Sequence, residues 1–132
     1  MLTKGFVASA FDLLHPGHIA MLEEARNQCD YLIVGLHTDP TINRPQKNKP
    51  IQTSYERFIQ LKGCKFVDEI IPYDTEEDLL NLLQMLNPDV RFIGEEYRGK
   101  SFTGNELPLK MIYTSRRHDF STSALRTKIK NA

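Results

Sequence analysis

The feature that most constrains the fold is a continuous apolar run within DYLIVGLHTD, residues 30–39. A strand exposed on one face alternates apolar and polar residues, whereas an uninterrupted apolar centre predicts a strand buried on both faces. The earlier segment GFVASAF (5–11) is also short and rich in apolar and small residues. The sequence therefore predicts two buried strands early in the chain.

A helix is predicted between these two strands. It is expected to begin near Pro16, because proline suits the first helical position, where its missing N–H has no intrahelical partner to lose. Ile19, Met21, Leu22 and Ala25 supply its apolar side. The chain thus opens with a strand, a helix and a strand.

The alternation continues to the end of the chain. Further helices are predicted at about 54–63, 74–88 and 121–129, and further strands at 68–73, 89–94 and 110–114. Tyr55, Phe58 and Ile59, with the stem of Lys62, are expected to form the buried side of the helix at 54–63. Alternating strands and helices predict an α/β fold: one Rossmann-like domain over residues 1–132, with a five-stranded parallel sheet and helices on both faces.

Composition excludes several classes of function. The 132 residues include 17 Lys and Arg and 17 Asp and Glu, so no overall field favours nucleic acid or an anionic membrane as a partner. Cys29 and Cys64 lack the spacing of a zinc site or of a disulfide framework. No apolar run approaches the roughly 18 residues that span a bilayer. We therefore expect a cytoplasmic protein that contacts neither nucleic acid nor membrane.

Ligands of such sheets bind beyond the carboxyl ends of the strands, where the winding reverses. The segments expected there are 9–18, 37–49, 94–100 and 114–123, which hold all four histidines. The loop 40–53, PTINRPQKNKPIQT, carries three prolines and three basic residues and is predicted to be exposed. Function is expected in these segments.

The stretch FDLLHPGH places His15 and His18 at the first turn of the predicted helix. Backbone N–H groups are unpaired there and the helix dipole favours anions, so two imidazoles would add donors to a phosphate site. Gly17 would let a bulky ligand approach the backbone. The alternative is that both rings cap or pack; a metal pair is disfavoured because Asp12 is the one acid nearby.

The string AFDLLHPGH resembles the HxGH signature of the nucleotidyltransferase superfamily and, within it, of the cytidylyltransferases. Similarity to small bacterial glycerol-3-phosphate cytidylyltransferases extends over nearly the whole chain. It is carried by DLLHPGH, DYLIVGLHTD, KFVDEIIP, FIGEEYRGK and SRRHDFSTSALR.

This resemblance implies transfer of CMP from CTP to a small phosphomonoester, glycerol 3-phosphate or a similar compound, with release of pyrophosphate. It also implies Mg²⁺ bound with the nucleotide, and a homodimer. A phosphate acceptor is already ionised at neutral pH, so it needs no general base, and the protein has to align the reactants and stabilise the growing charge.

The candidate site residues form three groups, and none of them is assigned as a ligand of the metal. The catalytic group is His15, His18, Lys47 and Arg116. The nucleotide-binding group is Ser9, Ala10, Phe11, Gly17, Lys49, Glu96, Ser121 and Thr122. The substrate-binding group is Asp12, Arg57 and Arg117, of which Arg117 is a candidate for its charge, at a position where the chain departs from the family motif.

Several of these assignments have alternatives. Lys47 and Lys49 compete for the place of one catalytic lysine. Asp12 is suited equally to contact with Mg²⁺ and to the orientation of backbone amides. Arg57 is suited to a substrate phosphate or to a dimer contact, and Arg126 is a further candidate for phosphate.

Ser121 and Thr122 have a structural alternative, since hydroxyl residues before a helix are commonly N-caps. The chain also departs from the family pattern: Ser9 and Ala10 replace a glycine and a threonine, and Arg117 lies in RHD where relatives read TEG. The added charge suits a more acidic acceptor, such as a sugar phosphate or a phospho-amino acid. Two other hypotheses stay open: an ATP-dependent adenylyltransferase of the same superfamily, acting for example on heptose phosphate, and a nucleotide-binding module without activity.

Overall fold

A computed structural model describes residues 2–115 and 122–132 of the chain. The described residues form five strands, namely β1 (Lys4–Ser9), β2 (Tyr31–His37), β3 (Glu69–Tyr73), β4 (Val90–Gly94) and β5 (Lys110–Thr114). They also form four α-helices, α1 (Pro16–Arg26), α2 (Ser54–Lys62), α3 (Glu76–Leu86) and α4 (Thr122–Lys130), and a 3₁₀ turn (Glu95–Tyr97). Each predicted helix and strand is present, within a few residues of its predicted ends.

The strands lie in one parallel sheet in the order β3-β2-β1-β4-β5. The chain winds outward from β1 to β3 and then crosses back to place β4 on the other side of β1. The winding therefore reverses between β1 and β4, and their carboxyl ends border the crevice where open α/β sheets bind ligands. The predicted five-stranded parallel α/β fold is confirmed.

Apolar side chains cover both faces of the sheet. One cluster includes Phe11, Leu22 of α1, Leu61 of α2 and Phe92 of β4. The opposite cluster joins Phe6, Ile33 and Tyr73 of the strands to Leu79 and Leu83 of α3. The two-sided burial explains why β2 reads as an unbroken apolar run.

Three helices begin with a capping box, in which side chain and backbone exchange hydrogen bonds. Thr53 and Glu56 form it in α2, and Thr75 and Asp78 form it in α3. The box of α1 is built from histidines and belongs to the site. Within the described residues, the helices are too short or too polar to cross a membrane.

The predicted buried face of α2 is wrong. Tyr55 is 72% exposed and Ile59 is 49% exposed, whereas Leu61 and Arg57 are buried. Phe58 packs against the core only in part. The buried face was predicted from the positions of apolar residues, and these do not reveal it because the largest side chain that α2 buries is that of Arg57, a charged residue.

Candidate active site

A cavity of about 550 Å³ opens at the carboxyl edge of the sheet, at the reversal of the winding. It brings together nine of the predicted site residues: Ser9, Ala10, Phe11, Asp12, His15, Gly17, His18, Lys47 and Glu96. Lys49 and Arg57 are not among its lining residues. Arg116, Arg117 and Ser121 lie outside the described residues, as does the side chain of Thr122, the first residue of α4.

His15 and His18 cap the helix that carries them. The Nδ1 atom of His15 accepts a hydrogen bond from the backbone N–H of Gly17 at 3.0 Å. The Nδ1 atom of His18 accepts one from the backbone N–H of His15 at 3.2 Å. Because both Nδ1 atoms are acceptors, the proton of each neutral ring is assigned to Nε2. The capping box thus sets the tautomer that makes each Nε2–H a donor.

The two imidazoles are stacked, with ring centroids 3.9 Å apart and an interplanar angle of 23°. The ring of Phe11 lies beside the imidazole of His18, with ring centroids 5.4 Å apart. Burial lowers the pKa of His18 to about 4, and repulsion from His15 is the second, smaller cause. The charge of Asp12 acts in the opposite direction. His18 is therefore neutral at pH 7 and offers a hydrogen bond rather than a full positive charge.

The loop between β1 and α1 has an unusual backbone. Phe11 and Leu13 have φ values of 50° and 51°, in the left-handed region that side-chain-bearing residues seldom adopt. The N–H of Leu13 donates to Oε1 of Gln52 at 2.8 Å. Phe11 is 1% exposed, so packing and this hydrogen bond hold the loop in its conformation.

Asp12 connects the loop between β1 and α1 to two other parts of the chain through hydrogen bonds. Its carboxylate accepts hydrogen bonds from the backbone N–H groups of Ile51 and Gln52, at 2.8 and 3.0 Å, and from Arg126 of α4. Of the two roles considered for Asp12, this geometry is that of an acid that orients backbone amides. The described residues contain no cluster of three or more His, Cys, Asp or Glu side chains suited to a metal ion.

Arg57 serves the architecture of the loops. It is 2% exposed and donates to the carbonyl oxygens of Ala10 and His37 through Nη1, at 2.9 and 2.7 Å, and of Thr38 through Nη2 at 2.6 Å. Burial lowers its pKa, and Asp12 opposes this shift. The guanidinium joins the loops that follow β1 and β2, which makes it a positioning residue in this geometry.

Another wall of the cavity holds residues to which the sequence assigned no role, although His37 and Arg44 lie in the segment 37–49 that was expected at this edge. It consists of His37, Arg44, Tyr73, Glu76, Arg91, Phe102 and Thr103. The sequence held one signal for Arg91, an arginine inside the otherwise apolar strand VRFIG, because a charge at a buried strand position needs a stabilising partner. The remaining residues come from separate segments that only the topology brings together.

A Rossmann-like sheet with a histidine-capped helix at its reversal point is typical of a class of protein, the α/β proteins that bind phosphate groups at a helix N-terminus. The profile of the cytidylyltransferase-like family matches residues 6–128. The chain belongs to this family, within the nucleotidyltransferase superfamily.

The curated relatives include bifunctional HldE proteins. The protein from Campylobacter jejuni subsp. jejuni serotype O:6 is 34% identical over 127 residues, which are 96% of this chain and 27% of that protein. The protein from Caulobacter sp. is 38% identical over 109 residues, 82% of this chain and 22% of that protein. The chain thus spans about a quarter of the length of these relatives.

Solved structures share the fold. A lipopolysaccharide core biosynthesis protein from Thermoplasma volcanium superposes with a TM-score of 0.64 at 24% identity, covering 99% of this chain and 88% of that chain. Pantoate-beta-alanine ligase from Francisella tularensis superposes with a TM-score of 0.57 at 17% identity, covering 98% of this chain and 69% of that chain.

Proposed function

We propose that the protein is a nucleotidyltransferase that moves AMP from ATP to the phosphate of a phosphorylated sugar and releases pyrophosphate. The observation that carries this proposal is the pair of stacked histidines at the N-terminus of α1, with Nδ1 of each ring accepting a backbone N–H. Two Nε2–H donors beside a helix N-terminus suit the triphosphate of a nucleotide.

The reaction needs alignment and charge stabilisation more than proton transfer. An ionised oxygen of the acceptor phosphate forms a bond to the α-phosphorus of the nucleotide. The bond from that phosphorus to the bridging oxygen breaks, and pyrophosphate leaves with the electron pair. His15 and His18 would donate hydrogen bonds to the crowded α-phosphoryl group, where negative charge increases in the transition state.

The likeness to HldE proteins favours an adenylyl transfer to a sugar phosphate over a cytidylyl transfer to glycerol 3-phosphate. CTP is the second candidate nucleotide, because the family profile is described as cytidylyltransferase-like. Cytidylyl transfer was the first expectation from the sequence, and we propose it as the second candidate because the likeness to HldE proteins supports the adenylyl alternative.

Mg²⁺ fits this site as a partner of the nucleotide rather than of the protein. Asp12 already accepts two backbone N–H groups and Arg126, and the described residues offer no ligand cluster. Mg²⁺ commonly retains water and is held by substrate phosphates, where it neutralises the charge of the triphosphate. In this proposal, the ion arrives with the nucleotide, and α1 contacts the phosphates through its amides and imidazoles.

The test measures pyrophosphate release with ATP or CTP, Mg²⁺ and a panel of phosphomonoesters that includes heptose 1-phosphate and glycerol 3-phosphate. His15→Asn and His18→Gln are matched variants, because both keep an acceptor for the capping hydrogen bonds and lose the imidazole donor. Each is expected to lower kcat by roughly 10²–10³-fold with little change in Tm. Release with CTP alone would overturn the choice of ATP, and release that persists in both variants would overturn the site.

A further inference from the structure

A buried arginine lies on the side of the cavity that faces α3, away from the histidines. Arg91 is the second residue of β4, is 5% exposed and lines the cavity. Its register partner in β1 is Phe6, three residues before the end of that strand at Ser9. At about 3.3 Å per residue, its Cα lies roughly 10 Å below the edge of the sheet at which the loop between β1 and α1 (residues 10–15, here called the histidine loop) begins.

The protein satisfies this guanidinium only in part. Nη1 donates to the carbonyl oxygen of Thr103, and the Phe102 ring lies 5.3 Å from Cζ. The Nε atom is buried and has no hydrogen-bond partner within the described part of the chain. Neither does any described carboxylate form an ion pair with Arg91. Glu76 and Glu106 act on Arg91 electrostatically but do not form an ion pair with it. A buried guanidinium without a direct ion pair is unfavourable, so the arrangement favours a bound anion.

The acid on this wall is already engaged. Glu76 forms an ion pair with Arg44 at 3.5 Å through Oε1, and its Oε2 accepts a hydrogen bond from Thr103 Oγ1 at 2.9 Å. Among the cavity-lining residues of this wall there are two guanidinium groups, those of Arg44 and Arg91, and one carboxylate. Glu106 also acts on Arg91 but does not line the cavity. The surface that faces the cavity on this wall is therefore positive and complements an anionic ligand.

An aromatic pair completes the wall. The rings of His37 and Tyr73 are stacked at 4.6 Å, and both residues line the cavity. Burial lowers the pKa of His37 and raises the pKa of Tyr73, so both are neutral at pH 7. Ring faces beside a few charged donors are the mixed lining of a small-molecule site.

We propose that this wall is the acceptor subsite, and that the acceptor carries a second anionic group, bound by Arg91, besides the phosphate that receives the nucleotide. Because Arg91 lies deep below the histidine loop, the two anionic groups of the acceptor are bound at different places. The acceptor phosphate reaches the α-phosphorus of the nucleotide, and the second anionic group lies against β4. The assignment to an acceptor rests on the proposed function. The prediction of an anion at Arg91 stands on the burial and pairing of the guanidinium.

Three probes that differ only at carbon 6 test this subsite: glucose 1-phosphate, glucuronate 1-phosphate and glucose 1,6-bisphosphate. Their binding is measured by calorimetry, with and without α,β-methylene ATP. The wild-type protein is expected to bind at least one doubly anionic probe ten or more times tighter than glucose 1-phosphate, and the preferred probe distinguishes a carboxylate from a phosphate. Equal affinities for the three probes would overturn the proposal. So would a failure of all three probes to bind at millimolar concentration.

Arg91→Met should abolish the preference and leave nucleotide binding and Tm at or above the wild-type values, because it replaces an uncompensated buried charge with an apolar chain. Arg91→Lys, which keeps the charge and loses the planar fork, should retain part of the preference even if the methionine variant folds poorly. Arg98→Met is the matched control, since Arg98 is exposed and is not among the cavity-lining residues. A preference that survives in Arg91→Met would refute the subsite.

The two proposals fail separately. Arg91-dependent discrimination in a protein that releases no pyrophosphate with either nucleotide would refute the nucleotidyl transfer and keep the anion site. Pyrophosphate release with probes that Arg91→Met does not distinguish from the wild type would refute the subsite alone.

Discussion

Arg126 of α4 donates a hydrogen bond to the carboxylate of Asp12, a residue 114 positions earlier in the chain. The same carboxylate accepts the backbone N–H groups of Ile51 and Gln52. One buried acid therefore joins the histidine loop, the end of the loop 40–53 and the last helix.

Asp12→Asn is expected to lower the free energy of unfolding by about 2–3 kcal/mol, because an amide cannot satisfy two N–H donors and a guanidinium as a carboxylate does. Urea unfolding measures the change, and Glu77→Gln, an exposed acid of α3, is the control. Equal unfolding midpoints for the Asp12 variant and the wild type would contradict this role.

The lowered pKa of His18 predicts a pH-dependent stability. The native ring takes up its proton near pH 4, whereas an unfolded histidine does so near 6.5. Between these values the unfolded state binds more protons, so stability falls as the pH drops from 6.5 to 4 and levels off below that. The full loss is on the order of 3 kcal/mol.

Urea unfolding between pH 7.5 and 4 measures this dependence in the wild type and in His18→Gln. The variant lacks the titrating ring, so its stability should vary less over this range. Other groups, including His37, titrate in both proteins and largely cancel in the difference. Parallel pH curves for the two proteins would exclude His18 as the cause.

Arg57→Met separates a positioning role from substrate contact. The variant removes the donors that pair with the carbonyl oxygens of Ala10, His37 and Thr38, and should cost about 3 kcal/mol or more in the free energy of unfolding. Lys62→Met, an exposed change in the same helix, should cost little. A raised KM for the acceptor with unchanged stability would instead support the substrate contact predicted from the sequence.

The two loop lysines are expected to differ. Both are exposed, but Lys47 lines the cavity and Lys49 is not among the lining residues. Lys47→Met should lower kcat/KM by about 10–100-fold, the value of one charge-assisted hydrogen bond, and Lys49→Met should have little effect. Steady-state kinetics of the two variants decide between them, and the reverse order would give the catalytic role to Lys49.

Local patterns predicted the fold well because each element carries its own signals. The apolar run of β2, Pro16 at the start of α1 and Thr75 at the start of α3 all act within a few residues. The buried face of α2 was mispredicted because Arg57 is stabilised inside by carbonyl oxygens from distant loops, and a residue count along the helix contains no information on those partners.

The candidate site was predictable on the α1 side and not on the α3 side. His15 and His18 belong to one short motif, so their spacing reveals them. Arg91 and Thr103 meet through the sheet order and a loop conformation, neither of which the sequence pattern encodes. The predicted roles of all the site residues stay predictions, as does the expected homodimer; Arg116, Arg117 and Ser121 also lie outside the described residues.

The double use of each imidazole at the start of α1 limits how these two positions can evolve. One ring nitrogen holds the helix N-terminus in shape, and the tautomer this sets makes the other a donor. Serine, threonine, aspartate or asparagine at position 15 would preserve the cap and offer no donor in the place of Nε2. Under the proposed function, selection for folding and selection for binding act on the same side chains, and a saturation library at positions 15 and 18 should contain many folded proteins but very few active ones.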